Sequence, residues 1–110
     1  AAVLAKLDEL MKHDKLYTLE TLNLSLLAEQ LGITGHQLSE LINTQFQQGF
    51  SRYIREHRIA AAKHLLLAEP NASVLSIGLS VGFNSQSNFY AAFRDIADMT
   101  PGQYRKNHSA

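Results

Sequence analysis

Cysteine and tryptophan are absent from this 110-residue sequence, proline occurs only twice, and neither sign of charge prevails, with ten acids against ten bases. Without cysteine the chain can form no disulfide framework, no thiolate metal site and no thiolate nucleophile, and the expectation that follows is a reducing, cytoplasmic setting. No unbroken apolar run approaches the ~18 residues of a spanning helix, and the opening residues carry no secretory-signal pattern. Catalytic signatures are missing as well: there is no Gly-rich phosphate loop, no Gly-x-Ser-x-Gly elbow and no nucleophile beside a base. The five histidines (His13, His36, His57, His64, His108) include no pair at the three-or-four spacing that a helical metal site needs. No enzyme, no cofactor and no metal are expected. Hydrophobic residues make up 45% and charged residues 18%, a balance that excludes disorder and leaves one domain's worth of chain with a modest core.

What is present is helical periodicity almost throughout, so the expected fold class is all-α. Val3, Leu4, Leu7, Leu10 and Met11 form a first apolar stripe. Asn23 is placed to cap a second helix ending at Gly32, with Leu22 and Leu27 spaced for a hydrophobic staple. Thr34 caps a third helix whose buried face should be Leu38, Leu41, Ile42 and Gln45 or Phe46, stopped by Gly49. A long helix runs from Phe50 to Ala68, with Phe50, Ile54, Ala61 and Leu65 on one side, and Pro70 and Asn71 close it. Ser73 then caps a short helix ending at Gly82, Ser85 caps another through about Ala97, and Thr100 caps a last turn with Pro101 at its first position.

The pattern repeats. Asn23, Leu27, Ala28, Leu31, Gly32 and Ile33 match Ser73, Ile77, Gly78, Val81, Gly82 and Phe83 at an offset of 50 residues; Thr34, Leu38 and Ile42 match Ser85, Phe89 and Phe93 at 51, the extra residue being Asn84. In each copy a small residue (Ala28, Gly78) stands four before a glycine (Gly32, Gly82). The small residue lets two helices approach closely, and the glycine can take the positive φ of a tight turn between them. This is a helix-turn-helix pattern, whose second helix presents its exposed face to a major groove. Charge is divided to match. Residues 1–48 carry three bases (Lys6, Lys12, Lys15) against six acids, a balance of −3, whereas residues 49–110 carry seven bases against four acids, a balance of +3, making the second half the more attractive to a polyanion. The connecting helix, at ~1.5 Å per residue, would extend ~27 Å, close to the ~34 Å between successive major-groove faces.

The run Val81-Gly82-Phe83-Asn84-Ser85-Gln86-Ser87-Asn88-Phe89, followed by Phe93-Arg94 and by Met99-Thr100-Pro101-Gly102-Gln103-Tyr104-Arg105, resembles the DNA-binding domain of the AraC/XylS family of bacterial transcription regulators. Leu27-Ala28-Glu29-Gln30-Leu31-Gly32-Ile33, Tyr53-Ile54-Arg55 and Arg58-Ile59 extend the resemblance over about residues 20–107. Asp98 departs from the pattern, which has glycine there; aspartate tolerates a left-handed backbone better than most residues, so the turn is expected to survive with some strain.

The resemblance implies seven helices in two homeodomain-like helix-turn-helix subdomains: residues 1–50 with the first motif, 51–69 as a linker helix and 70–110 with the second. It also implies sequence-specific binding of double-stranded promoter DNA, with recognition helices at about 35–46 and 86–97, and RNA polymerase as a partner. A sensing or oligomerising region usually precedes such a domain; the Ala1-Ala2 opening is read as a cut edge of a longer regulator. The segment Asp14-Lys15-Leu16-Tyr17 resembles relatives whose N-terminal part is in some cases membrane-spanning, so the full-length protein could be membrane-tethered. No small-molecule site is expected within this chain.

The exposed positions of the two recognition helices supply the candidate base readers: His36, Gln37, Ser39, Glu40 and Asn43 in the first, and Gln86, Ser87, Asn88, Tyr90 and Ala91 in the second. Gln can bond adenine bidentately, Glu can accept from cytosine N4, and Ala or a Tyr ring can meet a thymine methyl. Phosphate contacts are expected at the capped helix starts, Thr34 and Ser85, and from Arg55, Arg94, Arg105 and Lys106. The first recognition helix has neither Lys nor Arg, so the first motif should bind less tightly than the second. Arg58 and Tyr104 read as packing positions. The competing function is a protein-docking module, which would show an apolar stripe on the second recognition helix where this sequence has Gln, Ser, Asn and Tyr. Architectural binding without sequence preference would want more bases and fewer amide side chains.

Overall fold

A computed structural model describes residues 2–108 and contains, among them, seven α-helices and no strand. The helices are α1 (Ala2–Lys12), α2 (Leu24–Leu31), α3 (Gly35–Phe46), α4 (Phe50–Ala68), α5 (Val74–Ser80), α6 (Gln86–Ala97) and α7 (Pro101–His108), with a 3₁₀ turn at Leu16–Thr18. Contacts divide the chain into two compact units, Ala1–Ile54 and Arg55–Ala110, and the division falls inside α4.

In the first unit α1 packs on α2, and α2 on α3. Leu7, Leu10, Met11, Leu27, Ala28, Leu31, Leu38, Ile42, Tyr53 and Ile54 are buried, while Leu41 is half-buried and Gln45 and Phe46 are exposed. The face of α3 is therefore narrower than its periodicity predicts. Phe46 lies outside it with its ring 4.9 Å from that of Tyr53. The Tyr53 phenol is pushed up to about 12 by desolvation and by the Asp8 carboxylate. The 3₁₀ turn, which periodicity did not reveal, starts from a left-handed Lys15 (φ 52°) whose carbonyl accepts the Thr18 hydroxyl.

In the second unit α4, α5 and α6 enclose Ile59, Ala62, Leu66, Ile77, Val81, Phe83, Phe89, Ala92 and Phe93. This corrects the expected stripe of α4. The buried positions are Tyr53 and Ile54 for the first unit and Ile59, Ala62 and Leu66 for the second, with Ala61 and Leu65 only partly covered and Phe50 half-buried. One helix serves two cores, so no single stripe runs its length.

The repeat is realised hydrogen bond by hydrogen bond. Gly32 N donates to Glu29 O and Ile33 N to Ala28 O; Gly82 N donates to Leu79 O and Phe83 N to Gly78 O. These paired bonds close α2 and α5 in the same Schellman fashion, through Gly32 at φ 69° and Gly82 at φ 115°. α5 gives up helical geometry one residue before its glycine, at Val81. α3 ends unlike the expectation: Gln47, not Gly49, takes the left-handed conformation (φ 53°), with its backbone N on Asn43 O and its Nε2 on Thr44 O. The side chain thereby satisfies one of the carbonyls that a helix end leaves orphaned.

Asp98 closes α6 at φ 60°, as its departure from glycine predicts. Its carboxylate also stands at the negative end of the helix dipole, so both backbone and charge disfavour it there. Asp98→Gly is expected to stabilise the second unit by about 1 kcal/mol. Chemical denaturation would register this as a higher midpoint at unchanged slope, and an unchanged or lower midpoint would refute it.

Candidate nucleic-acid interface

Five helix starts carry the chemistry that aims the candidate surface. Asn23, Thr34, Ser73, Ser85 and Thr100 each accept a backbone N–H three residues on, from Leu26, Gln37, Ser76, Asn88 and Gln103. Thr34 and Gln37 complete a reciprocal box, Gln37 Oε1 accepting the Thr34 N–H at 2.9 Å, and Gln103 does the same for Thr100. The starts of α3 and α6 are thus fixed by local bonds, and each of these helices is held on its partner by fully buried residues, Leu38 and Ile42 in α3, Phe89 and Phe93 in α6.

The close approach of α5 and α6 depends on Gly78. A methyl group built there would collide with Phe89 Cδ2 and fall 2.7 Å from its Cγ and 3.1 Å from its Cβ, closer than carbon atoms pack in real structures. The Phe89 ring in turn meets Phe83, Phe93 and Tyr90 at 5.3, 5.8 and 6.2 Å between centroids.

Superposing the repeat on the helices places the candidates in pairs: His36 with Ser87, Gln37 with Asn88, Ser39 with Tyr90, Glu40 with Ala91, Asn43 with Arg94. His36, Gln37, Glu40, Asn43, Gln86, Ser87, Asn88, Ala91 and Arg94 are exposed, Ser39 and Tyr90 half-buried. Tyr90 leans on the core through its edge-on contact with Phe89. Gln37 and Asn88 occupy the third position of their helices, and both reach backwards. Gln37 is engaged in the Thr34 box, and Asn88 Nδ2 donates to Asn84 Oδ1 at 2.6 Å. Their side chains position the helix start, an assignment that exposure alone did not supply. Asn43 Nδ2 similarly bonds the Ser39 carbonyl. Asn84 was missed as a partner, although its four-residue spacing from Asn88 was a usable signal.

Among the expected phosphate ligands, Thr34 and Ser85 cap their helices, Arg94 and Lys106 are exposed, and Arg55 is half-buried. Arg105 is engaged elsewhere: its Nε donates to Leu66 O at 2.9 Å and its Nη2 to Glu69 O at 3.1 Å. These carbonyls lie at and just beyond the C-terminal end of α4. The geometry gives Arg105 a helix-closing task that no local sequence pattern betrays. Arg58 and Tyr104 pack as read, the Arg58 guanidinium 5.6 Å over the Phe83 ring and Tyr104 edge-on to Phe93. No cluster of potential metal ligands occurs among the described residues, and no helix there is long and apolar enough to cross a membrane.

Residues 27–107, which contain both turns together with α3 and α6, match the family described as the helix-turn-helix domain. This chain belongs to the AraC-type helix-turn-helix family. A transcriptional regulator of Staphylococcus aureus, HTH-type and itself uncharacterised, is 30% identical to this chain over 105 residues, which is 96% of this chain and 14% of that protein. The chain therefore spans about one-seventh of that relative's length. Among solved structures, the C-terminal domain of AraT, a response regulator from Geobacillus stearothermophilus, has the same fold at a TM-score of 0.89 and 24% identity, covering 100% of this chain and 88% of that one. The DNA-binding domain of the global transcriptional factor AdpA, solved in complex with a target DNA, is similar at a TM-score of 0.83 and 19% identity, covering 96% and 91%. The AraC-type family is one of DNA-binding transcription regulators, and its signature run in this chain is the α5–α6 turn itself: Gly82 bends it, Phe83 and Phe89 bury it, and Ser85 starts the helix that follows.

Proposed function

We propose that the chain binds double-stranded promoter DNA sequence-specifically, inserting α3 and α6 into successive major grooves, as the DNA-binding part of a longer bacterial transcription regulator that works with RNA polymerase. The observation that carries this is the duplication: two turns closed by the same pair of hydrogen bonds each precede a capped twelve-residue helix with a polar outer face. α4, at 19 residues and ~1.5 Å per residue, has a length comparable with one groove repeat. Readers are His36, Ser39, Glu40 and Asn43 in the first groove and Gln86, Ser87, Tyr90 and Ala91 in the second, with Gln37 and Asn88 positioning them. Phosphates are met by the amides at Thr34 and Ser85 and by Arg55, Arg94 and Lys106. Arg105 is left out because its guanidinium closes α4. A docking helix would expose an apolar stripe, and the large exposed leucines of this unit, Leu67, Leu75 and Leu79, lie on α4 and α5 instead of α6.

Selection of random duplexes by the purified chain tests this, followed by affinity against salt for the winners. Two informative blocks about one helical turn apart are expected, with a salt slope reflecting ~4–6 phosphates. Arg94→Ala and Lys106→Ala should each reduce the slope by about 1. Enrichment of a single block would mean that one motif only positions, and no enrichment at low salt would sink the proposal in favour of protein docking.

A further inference from the structure

α3 has no Lys or Arg, and the two groups on it able to carry charge share one face. His36 Nε2 lies 3.8 Å from Glu40 Oε2, one turn away, with the side chains 89% and 73% exposed. That separation exceeds a hydrogen bond, and the imidazole offsets the carboxylate only when protonated. Glu40 also borders a shallow open groove with Gln37, Leu41, Thr44 and Gln45 along the flank of α3. A carboxylate on a helix that meets a polyanion, with no fixed cation beside it, is repelled by the phosphates it passes. Such a group lowers affinity for all DNA except where it finds a donor.

A carboxylate only accepts, and the major groove offers it two donors, cytosine N4 and adenine N6. Beside adenine N6 stands the acceptor N7, which repels the carboxylate, whereas beside cytosine N4 on that base stands a C5–H. Cytosine is the matched partner. Resting on the DNA-binding role proposed above, we infer that Glu40 is the specificity-determining residue of the first motif: it selects a C·G pair and at the same time suppresses binding to unrelated duplex. The two motifs then divide the work unevenly: α6 reads its own block and with Arg94 also grips the backbone, whereas α3 screens sequence without a fixed cation of its own.

The test compares the wild-type chain with Glu40→Ala and Glu40→Gln by duplex selection and by affinity for an unrelated duplex, after confirming by circular dichroism that these exposed substitutions leave the fold intact. The wild type should require cytosine at one position of the first block, by about 5- to 150-fold over other bases. Glu40→Ala should lose that preference alone while binding unrelated duplex more tightly at low salt, and Glu40→Gln should move the preference towards adenine. A duplex carrying N4-methylcytosine at the position should bind the wild type poorly and Glu40→Ala as well as the unmodified one. If the wild type enriches two blocks but Glu40→Ala keeps the cytosine preference, or weakens binding to every duplex alike, this inference falls and the DNA-binding role stands. If the wild type enriches nothing, both fall.

Discussion

Phe89→Ala is expected to cost the second unit about 3–5 kcal/mol, and Gly78→Ala about 1–3 kcal/mol despite the better helix propensity of alanine. Phe89 is fully buried and contacts three other aromatic rings, so its loss leaves a cavity that rings fixed on three sides fill poorly. The Gly78 change fails for the opposite reason. Its new methyl would strike the Cγ and Cβ of Phe89, atoms near the backbone of α6 that cannot swing aside, so the helices must part. The equivalent positions of the first unit are Ala28 and Leu38, where a larger residue on α2 stands with a smaller one on α3. The same turn is thus built twice with size traded across it. It follows that Gly78→Ala combined with Phe89→Leu should be less destabilised than the sum of the two changes. Thermal unfolding of the four proteins measures this, and strict additivity would show that Gly78 and Phe89 are not a matched pair.

Features governed by a few neighbouring residues were legible in the sequence. All five caps accept the bonds that Asn23, Thr34, Ser73, Ser85 and Thr100 promise, and the offsets of 50 and 51 residues align buried with buried at Leu27 and Ile77, Leu38 and Phe89, Ile42 and Phe93. The face of α4 was not. Its stretch Ile59 to Ala68 holds apolar residues at adjacent positions, so periodicity fits Ala61 and Leu65 as readily as Ile59, Ala62 and Leu66; only the packed neighbours decide. Gln47 was hidden because glycine two residues later is the commoner left-handed stop, and a side chain bonding its own helix end replaced it. On the candidate surface, exposure correctly marks the outer positions but not where the terminal atoms go. Gln37 and Asn88 show this, since both are exposed and both bond backwards to the residues before their helices.

Arg105 is the case where sequence position and geometry point to different chemistry, and a substitution separates them. Its two bonds reach carbonyls 39 and 36 residues away, tying α7 to the end of α4 through the backbone oxygens of Leu66 and Glu69. Bonds from a charged donor at a partly buried site contribute more than neutral ones, so Arg105→Ala should destabilise the second unit by about 1–3 kcal/mol in the absence of DNA. Arg105→Lys should recover little of this, because an ammonium cannot offer the two diverging donors of a guanidinium. A phosphate ligand would behave the other way: lysine would substitute well, the free protein would keep its stability, and the salt slope of binding would fall on change to alanine. Lys106 provides the neighbouring control, since it is exposed on the same helix and its removal should lower the slope with little effect on unfolding. Measured well below the unfolding midpoint, Arg105→Ala is expected to retain the wild-type slope. A lowered slope with unchanged stability would return Arg105 to the DNA backbone and leave the end of α4 to be closed by something else.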